Sequence, residues 1–115
     1  MVVERIGCPE NRKDFQNLMK VLSSHIVIIK CYADWCGPCK RIKKYVEYCF
    51  DELRTTDKIL MYLNVDEQED VAAYLKIASL PTLISYKEGM KHQISSGAEE
   101  RNIKLFFRET MKRSI

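Results

Sequence analysis

The sequence predicts an α/β domain with a central mixed sheet of five strands flanked by four helices. Runs of β-branched residues alternate with amphipathic helical segments, which is typical of parallel strands joined by helices. The last two strands are separated only by a turn at Glu88-Gly89, which predicts an antiparallel end to the sheet. A chain of 115 residues has the size of one domain, so residues 1–115 are expected to fold as a single unit.

The first half of the chain alternates strands with helices. Residues 2–6 are expected to form a short opening strand, and residues 10–23 an amphipathic helix. The apolar stripe of this helix has helical spacing and consists of Phe15, Leu18, Met19 and Leu22. The β-branched run HIVIIKCYA, which starts at His25, predicts a strand buried on both faces. The apolar stripe of the next helix consists of Cys39, Ile42, Val46, Cys49, Phe50 and Leu53.

The second half of the chain is predicted to complete the sheet. The segment KILMYLNVD, from Lys58, is expected to form another buried strand, and a short helix around Val71 follows it. The segment PTLISYKEGMKHQISSG, from Pro81, predicts a two-stranded hairpin. The apolar side of the closing helix consists of Ile103, Phe106, Phe107 and Met111.

Charge and hydropathy exclude several classes of function. The formal net charge is +3, which is too small to indicate nucleic-acid binding by itself. The N-terminal segment carries charged residues such as Glu4 and Arg5 where a secretion signal would need an apolar core. The longest strongly apolar run, residues 26–29, is too short to span a membrane. We therefore expect a cytoplasmic protein without nucleic-acid or membrane partners, in a compartment where thiols are held reduced.

The segment DWCGPCK, from Asp34 to Lys40, carries two cysteines three positions apart. A structural zinc site needs about four ligands, and the sequence has no second cysteine pair with matching spacing, so no metal site is predicted. Cys36 directly precedes a helix, where free amides and the helix dipole stabilise a thiolate. Cys39 lies one turn further on the apolar stripe and should be more buried. This asymmetry suits attack of Cys36 on a substrate disulfide, followed by attack of Cys39 on the Cys36 sulfur.

The motif WCGPCK after a buried strand resembles the active-site signature of the thioredoxin family. Three further segments agree with the family in the same order along the chain: LNVDE from Leu63, IASLPT from Ile77, and SGA from Ser96. The resemblance extends over nearly the whole chain. It implies the thioredoxin fold, with a cis peptide bond between Leu80 and Pro81.

The resemblance also implies roles for individual residues. Cys36 would be the nucleophile and Cys39 the resolving thiol of a thiol-disulfide oxidoreductase that reduces protein disulfides. The apolar groove that receives the substrate would consist of Trp35, Gly37, Pro38, Leu80, Pro81 and Gly97. Electrons would come from a reductase that uses NADPH, which implies a function in electron transport and cell redox homeostasis. The chain would act as a monomer with no bound cofactor or metal.

The sequence departs from the family near the cysteine pair. Lys30, six residues before Cys36, stands where the family usually has a buried aspartate, and Tyr62 stands where that aspartate has a lysine partner. A charged Lys30 would stabilise the thiolates, whereas a neutral Lys30 could accept a proton. Alternatively, Lys30 extends past Tyr62 to solvent and has no chemical role. Lys44 also replaces the proline that kinks the corresponding helix of the family.

Other reactive side chains are assigned simpler roles. Cys31 and Cys49 are expected to be small apolar core residues. Cys8 is a further candidate for a reactive thiol but is expected to be inert, and His25 and His92 are assigned no role. The basic face of the helix after the motif is expected to be solvated, although it could select acidic partners.

Two other functions stay open at the level of sequence. The loss of the usual aspartate and lysine is compatible with an interaction or regulatory module of the same fold that has little reductase activity. A disulfide isomerase or oxidant would instead have a reduction potential well above about −270 mV, the value typical of thioredoxin.

Overall fold

The fold is a mixed five-stranded sheet with four helices in the computed structural model, which describes residues 4–112. The strands are β1 (Arg5–Gly7), β2 (Ile26–Tyr32), β3 (Lys58–Asn64), β4 (Thr82–Lys87) and β5 (Met90–Ser96). The helices are α1 (Arg12–Val21), α2 (Gly37–Asp51), α3 (Glu69–Tyr74) and α4 (Glu100–Met111). The predicted fold class and the order of the elements are confirmed.

The sheet has the strand order β1-β3-β2-β4-β5. β1, β3 and β2 are mutually parallel where they pair, and β4 and β5 complete the sheet as antiparallel strands. The central strand β2 lies beside β3 in a register that pairs Lys30 with Tyr62. The first strand is Arg5–Gly7 rather than the predicted residues 2–6, because residues 5–7 are the ones that pair with β3. Residues 2 and 3 lie outside the described range.

Helices cover both faces of the sheet, and each face has its own apolar core. α1 and α3 pack against one face through residues such as Phe15 and Val71, and α2 and α4 pack against the other through residues such as Phe50 and Phe106. Successive residues of a strand point to opposite faces. Ile28 therefore packs under α2, and Lys30, two residues further, lies on the same side.

Helix ends differ from the predicted bounds where side chains cap them. α1 begins at Arg12 rather than at residue 10, because the Asn11 side-chain oxygen accepts a hydrogen bond from the Asp14 amide at 2.9 Å. α2 ends at Asp51, so Leu53 of the predicted apolar stripe lies just beyond the helix. Within the described residues, no helix combines the length and apolar character needed to cross a bilayer.

A buried lysine holds the C-terminal end of α2. Lys58, at the start of β3, is 6% exposed, and its ammonium donates hydrogen bonds to the carbonyl oxygens of Phe50, Asp51 and Leu53 at 2.9, 3.1 and 3.3 Å. The same ammonium lies 4.9 Å from the centre of the Phe50 ring. The carbonyls of Phe50 and Leu53 also accept backbone hydrogen bonds, from the amides of Leu53 and Thr55, so Lys58 adds a charged donor to them and complements the negative end of the helix dipole.

Candidate active site

The two cysteines of the motif lie at the start of α2. Cys36 is the N-cap residue, and its sulfur accepts a hydrogen bond from the Cys39 amide at 3.2 Å. Pro38 lies in the first turn of the helix, where its missing amide hydrogen is not needed. Cys36 and Cys39 are joined by a disulfide bond, with 5.3 Å between their Cα atoms. The helix N-terminus therefore directs a backbone amide at the sulfur that the sequence predicts to be the nucleophile.

The two sulfurs differ in what they face rather than in how exposed they are. Cys36 is 4% exposed and Cys39 is 2% exposed, so the predicted difference in burial is small. Cys36 lines an open groove on the surface, whereas Cys39 lines a separate cavity on the α2 side of the sheet. A substrate sulfur can therefore approach Cys36 through the groove, whereas Cys39 is adjoined by the polar side chains of the cavity.

The open groove has a volume of about 550 Å³ and is largely apolar. Of the six residues predicted for it, four line it: Trp35, Gly37, Pro38 and Leu80. Trp35 lies at the edge of the groove and is 70% exposed, and its indole N–H donates to an Asp66 carboxylate oxygen at 2.9 Å. This hydrogen bond holds a large apolar ring beside Cys36 and open to solvent.

Pro81 and Gly97 are not among the residues that line this groove. The Leu80-Pro81 peptide bond is cis, as predicted, but Pro81 itself is buried. Gly97 instead donates its amide hydrogen to the Pro81 carbonyl at 2.9 Å. Gly97 has φ of 98°, a conformation that favours glycine. Both residues therefore lie next to the groove wall, and their contact with substrate stays a prediction.

The far wall of the groove was missed by sequence reasoning. It consists of Val65, Ala72, Ala73, Lys76, Ile77, Ala78 and Ser79, from the end of β3, from α3 and from the segment after α3. The only available signal was the run of small residues around α3, which leaves space beside a helix but does not show that the helix faces Cys36.

Lys30 is buried on the same side of the sheet as α2. It is 3% exposed, and its ammonium lies 5.8 Å from the ring centres of both Tyr32 and Tyr62. The two rings meet edge to face, with their centres 6.3 Å apart. Burial lowers the pKa of Lys30 from its usual value, and the negative charge of Glu47 opposes that shift. The part of the chain that the structure describes contains no ion pair to this ammonium.

Glu47 is a further residue of the site that sequence reasoning did not identify. It lines the cavity of about 280 Å³ that also adjoins Lys30, Cys39 and Tyr62. The Tyr62 hydroxyl donates to a Glu47 carboxylate oxygen at 2.9 Å. The available signal was helical spacing, because positions 39, 43 and 47 are four residues apart and share one face of α2.

Of the remaining cysteines, Cys8 and Cys31 are buried and Cys49 is partly buried. Cys8 is 7% exposed and Cys31 is fully buried. Burial raises the pKa of the Cys8 thiol, and that of the Cys31 thiol, to about 12. Burial also raises the pKa of the half-buried Cys49. Across residues 4–112, no three histidine, cysteine or acidic side chains form a cluster that could hold a metal ion.

Cys8 and Cys31 should stay unmodified when the reduced, folded protein is treated with iodoacetamide at pH 8. With pKa values of about 12, only about one thiol in ten thousand is ionised at that pH. Peptide mass spectrometry of the alkylated protein would measure this directly, with labelling in denaturant as the control that both sites can react. Rapid labelling of either residue in the folded state would contradict the prediction.

The same two thiols should make the protein less stable at alkaline pH. Their folded pKa values lie above those of the unfolded chain, so folding disfavours the thiolate, and the stability present at neutral pH is lost as the pH rises from about 9 towards about 12. Urea unfolding across this range should show a free energy of unfolding that falls less steeply in Cys8→Ala. An equal slope in the variant would contradict the assignment.

Comparisons with known proteins agree with the geometry of the site. A family model described as Thioredoxin matches residues 8–109. A thioredoxin of Gallus gallus is 33% identical over 96% of this chain and 97% of its own length, and thioredoxin AMT13 of Alternaria alternata is 36% identical over 80% of this chain and 75% of its own length.

Solved structures show the same fold. The reduced thioredoxin pre-protein of Schistosoma mansoni has a TM-score of 0.81 and 26% identity, with 94% of this chain and 99% of that chain covered. A thioredoxin of Plasmodium falciparum has a TM-score of 0.76 and 28% identity, with 93% of this chain and 98% of that chain covered. The cysteine pair at the head of α2 and the match along nearly the whole chain lead to one conclusion: this chain belongs to the thioredoxin family and is a thiol-disulfide oxidoreductase that reduces protein disulfides.

Proposed function

We propose that Cys36 is the nucleophile and Cys39 the resolving thiol of this reductase. The observation that carries the proposal is the Cys39 amide directed at the Cys36 sulfur from the head of α2, which favours a thiolate at Cys36. In the reduced protein, the Cys36 thiolate attacks one sulfur of a substrate disulfide. A bond forms between Cys36 and that sulfur, the substrate disulfide breaks, and the other substrate sulfur leaves as a thiolate that takes up a proton.

The second step returns the protein to its disulfide form. Cys39 loses a proton and attacks the Cys36 sulfur, so that the bond between Cys36 and the substrate breaks and the Cys36–Cys39 bond forms. The second substrate sulfur leaves as a thiolate and is protonated. Two electrons have then passed to the substrate, and a reductase that draws them from NADPH would restore the dithiol. This cycle would serve electron transport and cell redox homeostasis in the cytoplasm, with the chain acting as a monomer and folded as one domain over residues 1–115.

The groove beside Cys36 would bind the polypeptide around the substrate disulfide. Its apolar lining and its opening at Cys36 support this role, and Trp35 offers the largest exposed apolar surface at its edge. An exposed aromatic ring held by a hydrogen bond provides contact area at little cost in conformational entropy. Leu80 would contact the substrate chain on the other side of the sulfur, with Pro81 and Gly97 supporting that segment from behind.

Replacing Trp35 with alanine should lower kcat/KM for insulin reduction by about tenfold, which corresponds to about 1.4 kcal/mol of lost binding in the transition state. The loss should appear mainly as a higher KM, because the cysteines themselves are unchanged. Tyr48→Ala is the matched control, since Tyr48 is a 60% exposed aromatic residue of α2 outside the groove. Equal effects of the two substitutions would refute the role of Trp35.

We also propose that Lys30 acts as a cation that stabilises the thiolates of the cysteine pair, with Tyr62 supporting it. The burial of Lys30 and its position on the cavity that adjoins Cys39 favour this role over a side chain that simply extends to solvent. Lys30→Met removes the charge and keeps most of the volume. A thiolate titration of Cys36 by ultraviolet absorbance that is the same in this variant as in the wild type would reject an effect of Lys30 on Cys36.

A further inference from the structure

The cavity beside Cys39 is lined by a cationic and an anionic side chain from two different elements of the fold. Lys30 approaches it from β2, and Glu47 approaches it from α2. Tyr62 of β3 joins the two, because its ring flanks the Lys30 ammonium and its hydroxyl donates to Glu47. The two residues that depart from the family, Lys30 of β2 and Tyr62 of β3, thus contact each other, and Tyr62 also contacts Glu47 of α2.

We propose that Glu47, held by Tyr62, is a positioning residue that keeps the Lys30 side chain protonated beside Cys39, and that this ammonium stabilises the Cys39 thiolate during the resolving step. The proposal rests on the proposed roles of Cys36 and Cys39. It assigns Glu47 no contact with substrate and no direct proton transfer. Its effect on the reaction passes through the charge of Lys30.

Lys30 needs such support because its surroundings otherwise disfavour a charge. A buried ammonium loses its hydration, and Lys43 of α2 adds a like charge nearby. Two groups oppose this cost: the faces of the Tyr32 and Tyr62 rings attract a cation, and Glu47 supplies a negative charge. Removing the Glu47 charge should therefore favour the neutral amine.

The other charged groups around the cavity leave Glu47 as the anion that bears on Lys30. Lys40 and Lys43 of α2 also line the cavity but are cations, and Asp34 lines it from the exposed loop before Cys36. Arg5, from β1, acts on the Tyr62 hydroxyl. The anion whose attraction raises the pKa of Lys30 is Glu47.

Glu47 has a second route to Cys39, which is the direct effect of its charge. Eight residues separate the two positions, which corresponds to about 12 Å along the helix axis. The direct effect of the Glu47 charge on Cys39 has a sign opposite to the proposed one, because an anion disfavours a thiolate. The sign of the measured effect therefore distinguishes the two routes.

The two steps of the reaction can be followed separately with Ellman's reagent (DTNB). When the reduced full-length protein is mixed with one equivalent of reagent, Cys36 should release the first thionitrobenzoate, and attack of Cys39 on the mixed disulfide should release the second. Stopped-flow absorbance across a pH range gives the rate and the pH midpoint of each phase. Cys39→Ser should remove the second phase alone; a second phase that persists in this variant would contradict the proposed function itself rather than the role of Glu47.

Glu47→Gln should slow the second phase about three- to tenfold at neutral pH. Its pH midpoint should move up by as much as about one unit, because below the pKa a rise of one pKa unit lowers the fraction of Cys39 thiolate tenfold. The first phase should change less. Tyr62→Phe should act in the same direction by a smaller factor, since it keeps the ring and removes the bond to Glu47. Glu52→Gln, at an exposed position of the same helix end, is the matched control and should change neither phase.

A double-mutant cycle tests whether Glu47 acts through Lys30. In a Lys30→Met background, Glu47→Gln should no longer slow the second phase, and in Lys30→Arg, whose cation cannot be deprotonated, it should also lose its effect. A faster second phase in Glu47→Gln alone would show that Glu47 acts only by its own charge and would overturn the proposal. An unchanged second phase would overturn it as well, and this single conservative substitution decides the matter even if the Lys30 variants fail to fold.

Discussion

Replacing Cys36 with serine is expected to abolish the reduction of protein disulfides, with a loss of more than about a thousandfold in the rate of insulin reduction by dithiothreitol. The loss should be this large because removal of a nucleophile eliminates the covalent route rather than weakening one contact. The hydroxyl of serine is a far poorer nucleophile than a thiolate at neutral pH. The hydrogen bond from the Cys39 amide would then be directed at a neutral oxygen.

A matched control separates loss of the nucleophile from loss of any cysteine. Cys49 lies on the same helix, is half buried and is far from the groove, so Cys49→Ser should reduce insulin at nearly the wild-type rate. Activity that survives in Cys36→Ser, or that is lost equally in Cys49→Ser, would contradict the assignment of Cys36.

Replacing Lys58 with methionine is expected to lower the free energy of unfolding by about 3 kcal/mol, a large part of the 5–15 kcal/mol (approximate range) typical of a small domain. The substitution removes hydrogen bonds from a buried, charged donor to three carbonyl oxygens at the end of α2, and only backbone amides remain as donors to those of Phe50 and Leu53. It also removes a cation from the face of the Phe50 ring. Urea denaturation followed by circular dichroism would measure the change.

Lys104→Met is the control for the loss of a lysine charge. Lys104 is exposed on α4 and should change the free energy of unfolding by less than about 0.5 kcal/mol. A loss below about 1 kcal/mol for Lys58→Met would show that water or neighbouring groups satisfy the end of α2 without the lysine. The experiment also tests how firmly α2 is held at the end opposite to Cys36.

The sequence predicts the elements of this fold well because two periodicities carry the information. The stripe of α1 around Phe15 and the β-branched run of β2 have distinct spacings, and each matches one element of the structure. The ends of the elements depend on tertiary contacts instead. At the end of α2, Lys58 from the next strand binds the carbonyl oxygens of Phe50 and Asp51, and no local pattern in the helix contains that information.

The candidate site shows the same division between local motif and distant contact. The motif WCGPCK identifies Cys36 and Cys39 because both lie within the first turn of one helix, so their chemistry depends on local sequence. Helical spacing places Glu47 on the same face of α2 as Cys39, but its contact with Tyr62 could not be predicted, because that contact depends on the pairing of β2 with β3. The groove wall formed by α3 and the segment after it was missed for the same reason, since the position of that helix across the groove from Cys36 depends on the tertiary structure.

The departures at positions 30 and 62 do not open the centre of the site to solvent. Lys30 is nearly as buried as a core residue, and the tyrosine rings flank its ammonium. A charge in such a place is costly unless neighbouring groups stabilise it. This burial argues against a lysine that merely extends to solvent, and the chemical role of Lys30 stays a prediction.

The most direct test of the covalent mechanism is to capture its intermediate in the Cys39→Ser variant. With the resolving thiol removed, the mixed disulfide between Cys36 and a protein substrate should accumulate, and peptide mass spectrometry after non-reducing digestion should find the substrate attached at Cys36. If no adduct forms, or if substrate is attached instead at Cys8 or Cys49, then Cys36 is not the attacking sulfur and the mechanism is wrong.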